Sequence, residues 1–162
     1  MVLCVKDERY PEAKMPGGMA EAVTGGRIES PGETMRREAV SETGVQILSA
    51  RLLFREKKVD RRSREVHVRN FYLAGQVSAL PSLDAPPREV VETNPSNGTT
   101  EHLTCFWLPL REFANRLFKE QNPAFGAVLA WLASDDKSGM AFYEEFGDLL
   151  EQFPEPIDLG LE

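Results

Sequence analysis

The chain has 162 residues, about the size of one domain, and 41% of them are hydrophobic, as in ordinary globular proteins. Its formal net charge of -7 argues against a dedicated nucleic-acid binder, because phosphate backbones bind clustered Lys and Arg. A small phosphorylated ligand stays open, since a bound cation can reverse the local sign of the field. No apolar run approaches the roughly 18 residues that span a bilayer, and no signal-peptide pattern is present. We therefore expect no membrane partner and a cytoplasmic protein.

The first third of the chain predicts a strand, a glycine turn and one helix. Met1–Val5 is an apolar, strand-like run, and the polar stretch that follows it contains Pro11 and is predicted as a loop. Pro16-Gly17-Gly18 predicts a tight turn, and Gly25-Gly26 forms a second breaker. The segment Ser30–Gly44 is the clearest helix in the sequence.

Both ends of this helix can be predicted residue by residue. Ser30 suits the N-cap, Pro31 suits the first helical position, and Glu33 completes a Ser-x-x-Glu capping box. Gly44 supplies the left-handed residue that ends many helices.

The remainder of the chain predicts strands followed by helices. Strands are predicted at Gln46–Phe54, Glu65–Val77 and Leu103–Leu108, with Tyr72–Val77 apolar enough to be central in a sheet. The proline-rich stretch Ser78–Gly98 predicts a long irregular loop. Three amphipathic helices follow, at Leu110–Lys119, Pro123–Ser134 and Met140–Phe153. We predict a single domain over 1–153 with an acidic, frayed tail over 154–162.

The two cysteines and the basic hairpin have plain structural interpretations. Cys4 and Cys105 lie in apolar runs, which favours buried small hydrophobes over a disulfide or a metal site. The basic segment Arg51–Arg64 could receive phosphates of a substrate or an RNA end, but we favour a charged hairpin that discourages edge pairing. Neither His67 nor His102 has a Cys or carboxylate at zinc-ligand spacing.

Glu38 and Glu42 are the residues on the predicted helix that point to chemistry. Residues four apart face the same side, so the two side chains lie roughly 5–6 Å apart at their Cβ atoms. Like charges so placed oppose the helix unless a cation neutralises them, and Mg²⁺ binds through one or two carboxylates plus substrate phosphates. An arbitrary pair at this spacing is usually a solvated acidic face, so the surrounding pattern has to decide.

That pattern resembles the Nudix box, Gly-x5-Glu-x7-Arg-Glu-U-x-Glu-Glu-x-Gly-U, where U is aliphatic. Glu29 is followed by seven residues, then Arg37-Glu38 and Glu42-Thr43-Gly44-Val45, without a gap. The strand before Pro16-Gly17-Gly18 and the run Phe106–Leu110 also resemble that family. The resemblance implies an α/β/α sandwich with a mixed β-sheet. It also implies hydrolysis of a nucleoside diphosphate linked to another group, with Mg²⁺ as cofactor and Mn²⁺ as an alternative.

The resemblance also implies a role for each site residue. Glu38 and Glu42 would be catalytic metal ligands, and Arg37 would pair with Glu29 to fix the loop and helix. A carbonyl of Gly17 or Gly18 would add a ligand. Many relatives place another acidic residue at a distance, as base or ligand. Glu101 is our choice because it lies immediately before the Leu103–Leu108 strand, and Glu89 and Glu92 are weaker candidates in the predicted loop.

Three departures from the box are visible. Ser41 stands where the first Glu of the usual pair belongs, which removes one carboxylate. Val23 stands where the box glycine belongs, so we expect Pro16-Gly17-Gly18, rather than Gly25-Gly26, to be the turn that faces the helix. The chain is N-terminally short of at least one strand of the family pattern, and we expect this either to weaken the sheet or to leave an edge that a second subunit in a homodimer covers.

Two hypotheses of function remain open. The first is a Mg²⁺-dependent pyrophosphohydrolase acting on a nucleotide-type small molecule. We favour a nucleotide sugar such as ADP-ribose over a nucleoside triphosphate, because Arg37-Glu38-Ala39 and the stretch Glu101–Glu112 resemble ADP-ribose pyrophosphatases. The alternative is a catalytically impaired Nudix-like domain that binds a nucleotide or a protein partner.

Overall fold

The computed structural model describes residues 1–23, 25–59, 64–93 and 98–156. These residues contain five strands: β1 Val2–Asp7, β2 Ile47–Val59, β3 Val66–Val77, β4 Arg88–Thr93 and β5 Thr100–Leu108. The same described ranges contain four α-helices: α1 Pro31–Glu38, α2 Leu110–Arg116, α3 Asn122–Ala133 and α4 Gly139–Gln152. A π-helical turn, Ala39–Thr43, follows α1, and a short 3₁₀ turn, Lys119–Gln121, precedes α3.

The described chain forms two compact units. Unit 1 comprises Met1–Ala50 and Ala74–Phe118, and unit 2 comprises Arg51–Leu73 and Lys119–Glu162. The single domain that the sequence suggests for 1–153 stays a prediction. The predicted acidic tail extends beyond the described residues from position 157 onward, and positions 60–63 of the basic hairpin also lie outside them.

Unit 1 is built on an antiparallel sheet with the order β1-β5-β4. Its central strand, β5, pairs Cys105 with Val5 on one side and with Arg88 on the other. The residues of this unit that are nearly inaccessible to solvent include Cys4, Val5, Leu103, Cys105 and Phe113. Both cysteines are free and buried, as predicted. Burial raises the pKa of the Cys4 thiol to about 12 and that of Cys105 to about 11.

Strand β4 corrects the prediction of an irregular loop over Ser78–Gly98, of which positions 94–97 lie outside the described residues. The loop prediction gave most weight to the prolines, but these lie before and after the strand rather than within it. Arg88–Thr93 begins directly after Pro86-Pro87 and contains the β-branched pair Val90-Val91. The strand carries Glu92 into unit 1, opposite Glu101 of β5.

The sheet arrangement corrects two further predictions. Both sheets among the described residues are antiparallel, so the mixed sheet implied by the resemblance is not found there. Strand β3 pairs with β2 in a two-stranded sheet, and Ala74 to Gln76 are exposed. Tyr72–Val77 is therefore not central in a sheet. An apolar strand is central only where other strands pair with both of its edges, and its composition alone does not ensure that. The described residues do form both α-helices and β-strands, so the protein belongs to the mixed α and β class.

The helix predicted over Ser30–Gly44 is present with both predicted caps. The Ser30 hydroxyl accepts from the Glu33 amide, and the Glu33 carboxylate accepts from the Ser30 amide at 2.8 Å. Gly44 ends the helix with φ 75°, in the left-handed region. The sequence did not predict that its second half widens into a π turn. Among the described residues, no helix combines the length and apolar character needed to cross a membrane.

Candidate metal centre

The end of α1 and the π turn after it each carry one buried carboxylate in unit 1, Glu38 and Glu42 respectively. Glu38 is 5% exposed and Glu42 is 1% exposed, which is rare for glutamates without a compensating charge. Single π turns inside helices occur frequently at functional sites, because they re-aim side chains that an α-helix would place differently. The predicted pair therefore lies on an inward face of the helix rather than on a solvated acidic face.

Glu92 of β4 completes a group of three carboxylates. One carboxylate oxygen from each of Glu38, Glu42 and Glu92 lies within 4.8 Å of the other two. The Ser41 hydroxyl donates a hydrogen bond to Oε1 of Glu92. Ser41 occupies the position where the Nudix box has a carboxylate. The carboxylate of Glu92, which comes from β4, therefore lies beside the position at which the box carboxylate is missing.

Glu101, our choice from the sequence, lies outside this group of three. Its carboxylate pairs with Nη2 of Arg9 at 2.9 Å, and Arg9 also bonds the buried carboxylate of Asp7. Glu101 and Glu92 are paired across β4 and β5, and the role of Glu101 as a base or ligand stays a prediction. The two could not be distinguished without knowing that β4 exists. Glu89, the other weaker candidate, is exposed.

Arg37 and Glu29 form the pair implied by the resemblance. Nε of Arg37 donates to Oε1 of Glu29 at 2.8 Å, and Nη2 donates to Oε2 at 3.0 Å. The same guanidinium donates to Glu38 at 2.7 Å and to the carbonyl of Met19 at 2.8 Å. One arginine thus fixes the loop before the helix and one carboxylate of the centre at once.

The turn Pro16-Gly17-Gly18 faces this helix, as we expected from the displaced box glycine. The Gly17 amide donates to Oε2 of Glu42 at 2.7 Å. A Cβ atom at Gly18 would overlap Oε1 of Glu38, whereas nothing lies within 4 Å of a Cβ added at Gly25 or Gly26. The turn contacts the centre through an amide, so the expected carbonyl contact of Gly17 or Gly18 stays a prediction.

Burial and mutual repulsion set the electrostatics of the carboxylate group. Burial raises the pKa of Glu42 to about 7, opposed by the ammonium of Lys14 and the Gly17 amide. Burial also raises the pKa of Glu38, opposed by Arg37. By contrast, the hydrogen bonds from Arg37 lower the pKa of Glu29 to about 2. The negative charge of these buried carboxylates is therefore not fully compensated by solvent or by the cationic side chains beside them.

Sequence reasoning missed one cationic residue of the centre. Nζ of Lys14 lies 3.7 Å from Oε1 of Glu42. The signal that could have found it is positional, because Lys14 immediately precedes Met15 and the Pro16-Gly17-Gly18 turn. A side chain leaving the chain two residues before a turn that faces the helix is well placed to reach that helix.

Comparisons of the chain with models of known protein families, with characterised proteins and with solved structures found no match. Membership of the Nudix family thus stays a prediction from the motif, and the function has to be argued from the site itself.

Proposed function

We propose that this protein is a Mg²⁺-dependent pyrophosphohydrolase that cleaves the diphosphate of a nucleoside diphosphate linked to another group. The observation that carries the proposal is the convergence of Glu38, Glu42 and Glu92 within 4.8 Å of one another. Acidic clusters are common on protein surfaces, but Glu38 and Glu42 are buried and come from a helix whose sequence fits the Nudix box.

The donor set fits a hard divalent cation. Mg²⁺ takes oxygen ligands, retains several waters and uses few protein carboxylates together with substrate phosphates. Three carboxylates that share one small volume repel one another, and a divalent cation would relieve both this repulsion and the cost of burial. Mn²⁺ accepts the same ligands. Soft ligands do not compete, because both cysteines are buried with raised pKa values.

The protein's own residues would hold and orient the carboxylates. Arg37 fixes Glu38 against the loop that carries Glu29, and the Gly17 amide fixes one oxygen of Glu42. The Ser41 hydroxyl directs Glu92 toward the group. A bound Mg²⁺ would supply Lewis-acid polarisation of the diphosphate and a lowered pKa of bound water.

The contact between Ser41 and Glu92 supports the alternative of a non-catalytic binding domain. Ser41 removes a carboxylate from the helix, and its hydrogen bond occupies one oxygen of Glu92. A centre with fewer available oxygens could bind a nucleotide without hydrolysing it, or bind a protein partner. The persistence of a buried, like-charged pair favours the enzyme, since such a pair destabilises a protein that makes no use of it.

The test is hydrolysis by the wild-type protein with Mg²⁺ across a panel of substrates. The panel contains ADP-ribose and other nucleotide sugars, dinucleoside polyphosphates, capped RNA and nucleoside triphosphates. We expect turnover of a nucleotide sugar, abolished in Glu42→Gln and retained in Glu33→Gln, which neutralises an exposed glutamate on the same helix.

Absence of turnover above the Glu42→Gln background on every substrate would remove the enzyme proposal. Tight binding of intact ADP-ribose without hydrolysis would instead support the binding domain.

A further inference from the structure

Lys14 is fixed by its backbone and reaches the carboxylate group with its side chain. Its amide donates to the carbonyl of Val5 at 2.8 Å, and its carbonyl accepts from the Val5 amide at 3.0 Å. The preceding residue, Ala13, is held in the same way by Arg116 and Phe118. Val5 is fully buried, so the start of the Lys14 side chain has one fixed position in unit 1.

The two cations beside the carboxylates differ in how far their donors are used. Arg37 donates to Glu29, Glu38 and the Met19 carbonyl, and it also pairs with Glu21. Nζ of Lys14 lies 3.7 Å from Glu42, which is within ion-pair range but beyond a hydrogen bond. The Lys14 side chain is also 28% exposed, so it is partly open to solvent beside Glu42. Lys14 can therefore change partner at little cost, whereas Arg37 cannot.

The charge around the centre requires such a cation when a substrate binds. Arg37 and Lys14 lie among five carboxylates, those of Glu21, Glu29, Glu38, Glu42 and Glu92. A divalent cation would reduce this excess of negative charge but would not reverse it. An incoming diphosphate adds further negative charge, so it needs a cationic side chain at the same place.

We infer that Lys14 is a substrate-binding residue whose ammonium pairs with Glu42 in the metal-free protein and binds the diphosphate oxygens once a divalent cation neutralises Glu42. The inference rests on the proposed function, because it concerns the substrate of that same centre. It assigns Lys14 two opposing effects. Its charge competes with the cation for Glu42, and the same charge attracts the substrate.

Lys14→Met tests both effects in one variant, because methionine retains most of the apolar stem and loses the charge. Titration calorimetry with Mg²⁺ alone should show tighter binding, by about 5-fold, since a like charge is removed from beside Glu42. Binding of α,β-methylene-ADP at a fixed, saturating concentration of free Mg²⁺ should weaken by roughly 10-fold or more. Lys14→Arg, which keeps the charge, should restore most of the nucleotide affinity.

Lys58→Met is the matched control, since Lys58 forms an exposed ion pair with Glu120 at 3.2 Å in unit 2. It changes the net charge equally and should alter neither affinity. Unchanged affinities in Lys14→Met would overturn the inference, and so would tighter Mg²⁺ binding with unchanged nucleotide binding, which would make Lys14 a counter-ion only. Failure of the proposed function has a different signature, because the wild-type protein would then hydrolyse no substrate, whatever the affinities of the Lys14 variants.

Discussion

In the first half of the segment from 29 to 44 the glutamates have lowered pKa values, whereas in the second half they are buried and have raised pKa values. Arg37 and Arg27 lower the pKa values of Glu29 and Glu33 to about 2. A few residues later, burial raises the pKa of Glu42 to about 7 and also raises that of Glu38.

This difference in pKa separates glutamates that stabilise the fold from glutamates whose charge lowers the free energy of unfolding. A carboxylate with a lowered pKa stabilises the folded protein at neutral pH, and one with a raised pKa opposes folding there. Buried groups with perturbed pKa values concentrate at functional sites, although structural ion-pair networks perturb them too. Substitutions along this segment should therefore have opposite signs on its two sides.

The largest effect is expected at Arg37, which joins the two halves. Arg37→Met removes the partner of the mostly buried carboxylates of Glu29 and Glu38, and we expect a loss of about 2–4 kcal/mol in the free energy of unfolding. The measurement is urea denaturation at pH 7.

Arg27→Met is the matched control for Arg37→Met. Arg27 pairs with Glu33 at the surface, with both side chains near half exposed, so a much smaller loss than that of Arg37→Met is expected. Equal losses in the two variants would contradict the distinction between a joining arginine and a surface pair.

The next effect is a gain in stability on removing a charge from the second half. The folded pKa of Glu42 lies above the unfolded value of 4.5, so the carboxyl group favours folding below that value and its contribution is lost as the pH rises through about 7. In metal-free buffer at pH 8, Glu42→Gln should therefore raise the free energy of unfolding by about 1–3 kcal/mol. Thermal and urea unfolding as a function of pH measure this, and the gain should shrink toward pH 5.

Glu29→Gln provides the opposite sign. The folded pKa of Glu29 is depressed, so its contribution is present above the unfolded value of 4.5 and is lost as the pH falls through about 2. Glu29→Gln should destabilise the protein at pH 7, and the difference should fade between about pH 4.5 and 2. If both variants shift stability in the same direction at pH 8, the assignment of opposite roles is wrong.

A smaller effect is expected from adding one methyl group at Gly18, which faces Glu38 in the second half, and at Gly32, in the first half. Gly18→Ala places a Cβ where Oε1 of Glu38 lies, and we expect a loss of about 1–2 kcal/mol as that buried side chain shifts. Gly32→Ala adds a Cβ in the first turn that meets only Nη1 of Arg36, at 3.4 Å, and should gain up to ~1 kcal/mol from helix propensity. Chemical denaturation of both variants against wild type measures the contrast. A stable Gly18→Ala variant with unchanged Mg²⁺ affinity would show that the turn does not position Glu38.

The parts of this centre that could be predicted are those encoded locally. The caps at Ser30 and Gly44 and the pairing of Arg37 with Glu29 all depend on fixed spacings within one segment. The sequence also favours Pro16-Gly17-Gly18 as the facing turn, and a glycine is needed at position 18 because the Glu38 side chain comes too close for a Cβ.

The parts that could not be predicted depend on pairing between distant segments. Glu92 lies in the centre because β4 pairs with β5. The prolines on both sides of β4 favour a loop, so the sequence does not indicate this strand. The π turn changes the direction of Glu42 without a change in residue pattern. The sequence places Lys14 two residues before the turn, but its contact with Glu42 also depends on backbone hydrogen bonds to Val5, which the sequence does not indicate.

Mg²⁺ binding to single carboxylate variants tests the central claim most directly. Titration calorimetry should show binding to the wild-type protein and to Glu101→Gln, whose side chain pairs with Arg9 instead. Glu38→Gln, Glu42→Gln and Glu92→Gln should each weaken binding by roughly 10-fold or more, because each removes one anionic oxygen ligand. Absence of Mg²⁺ binding to the wild-type protein, or a loss in Glu101→Gln with none in Glu92→Gln, would contradict the account.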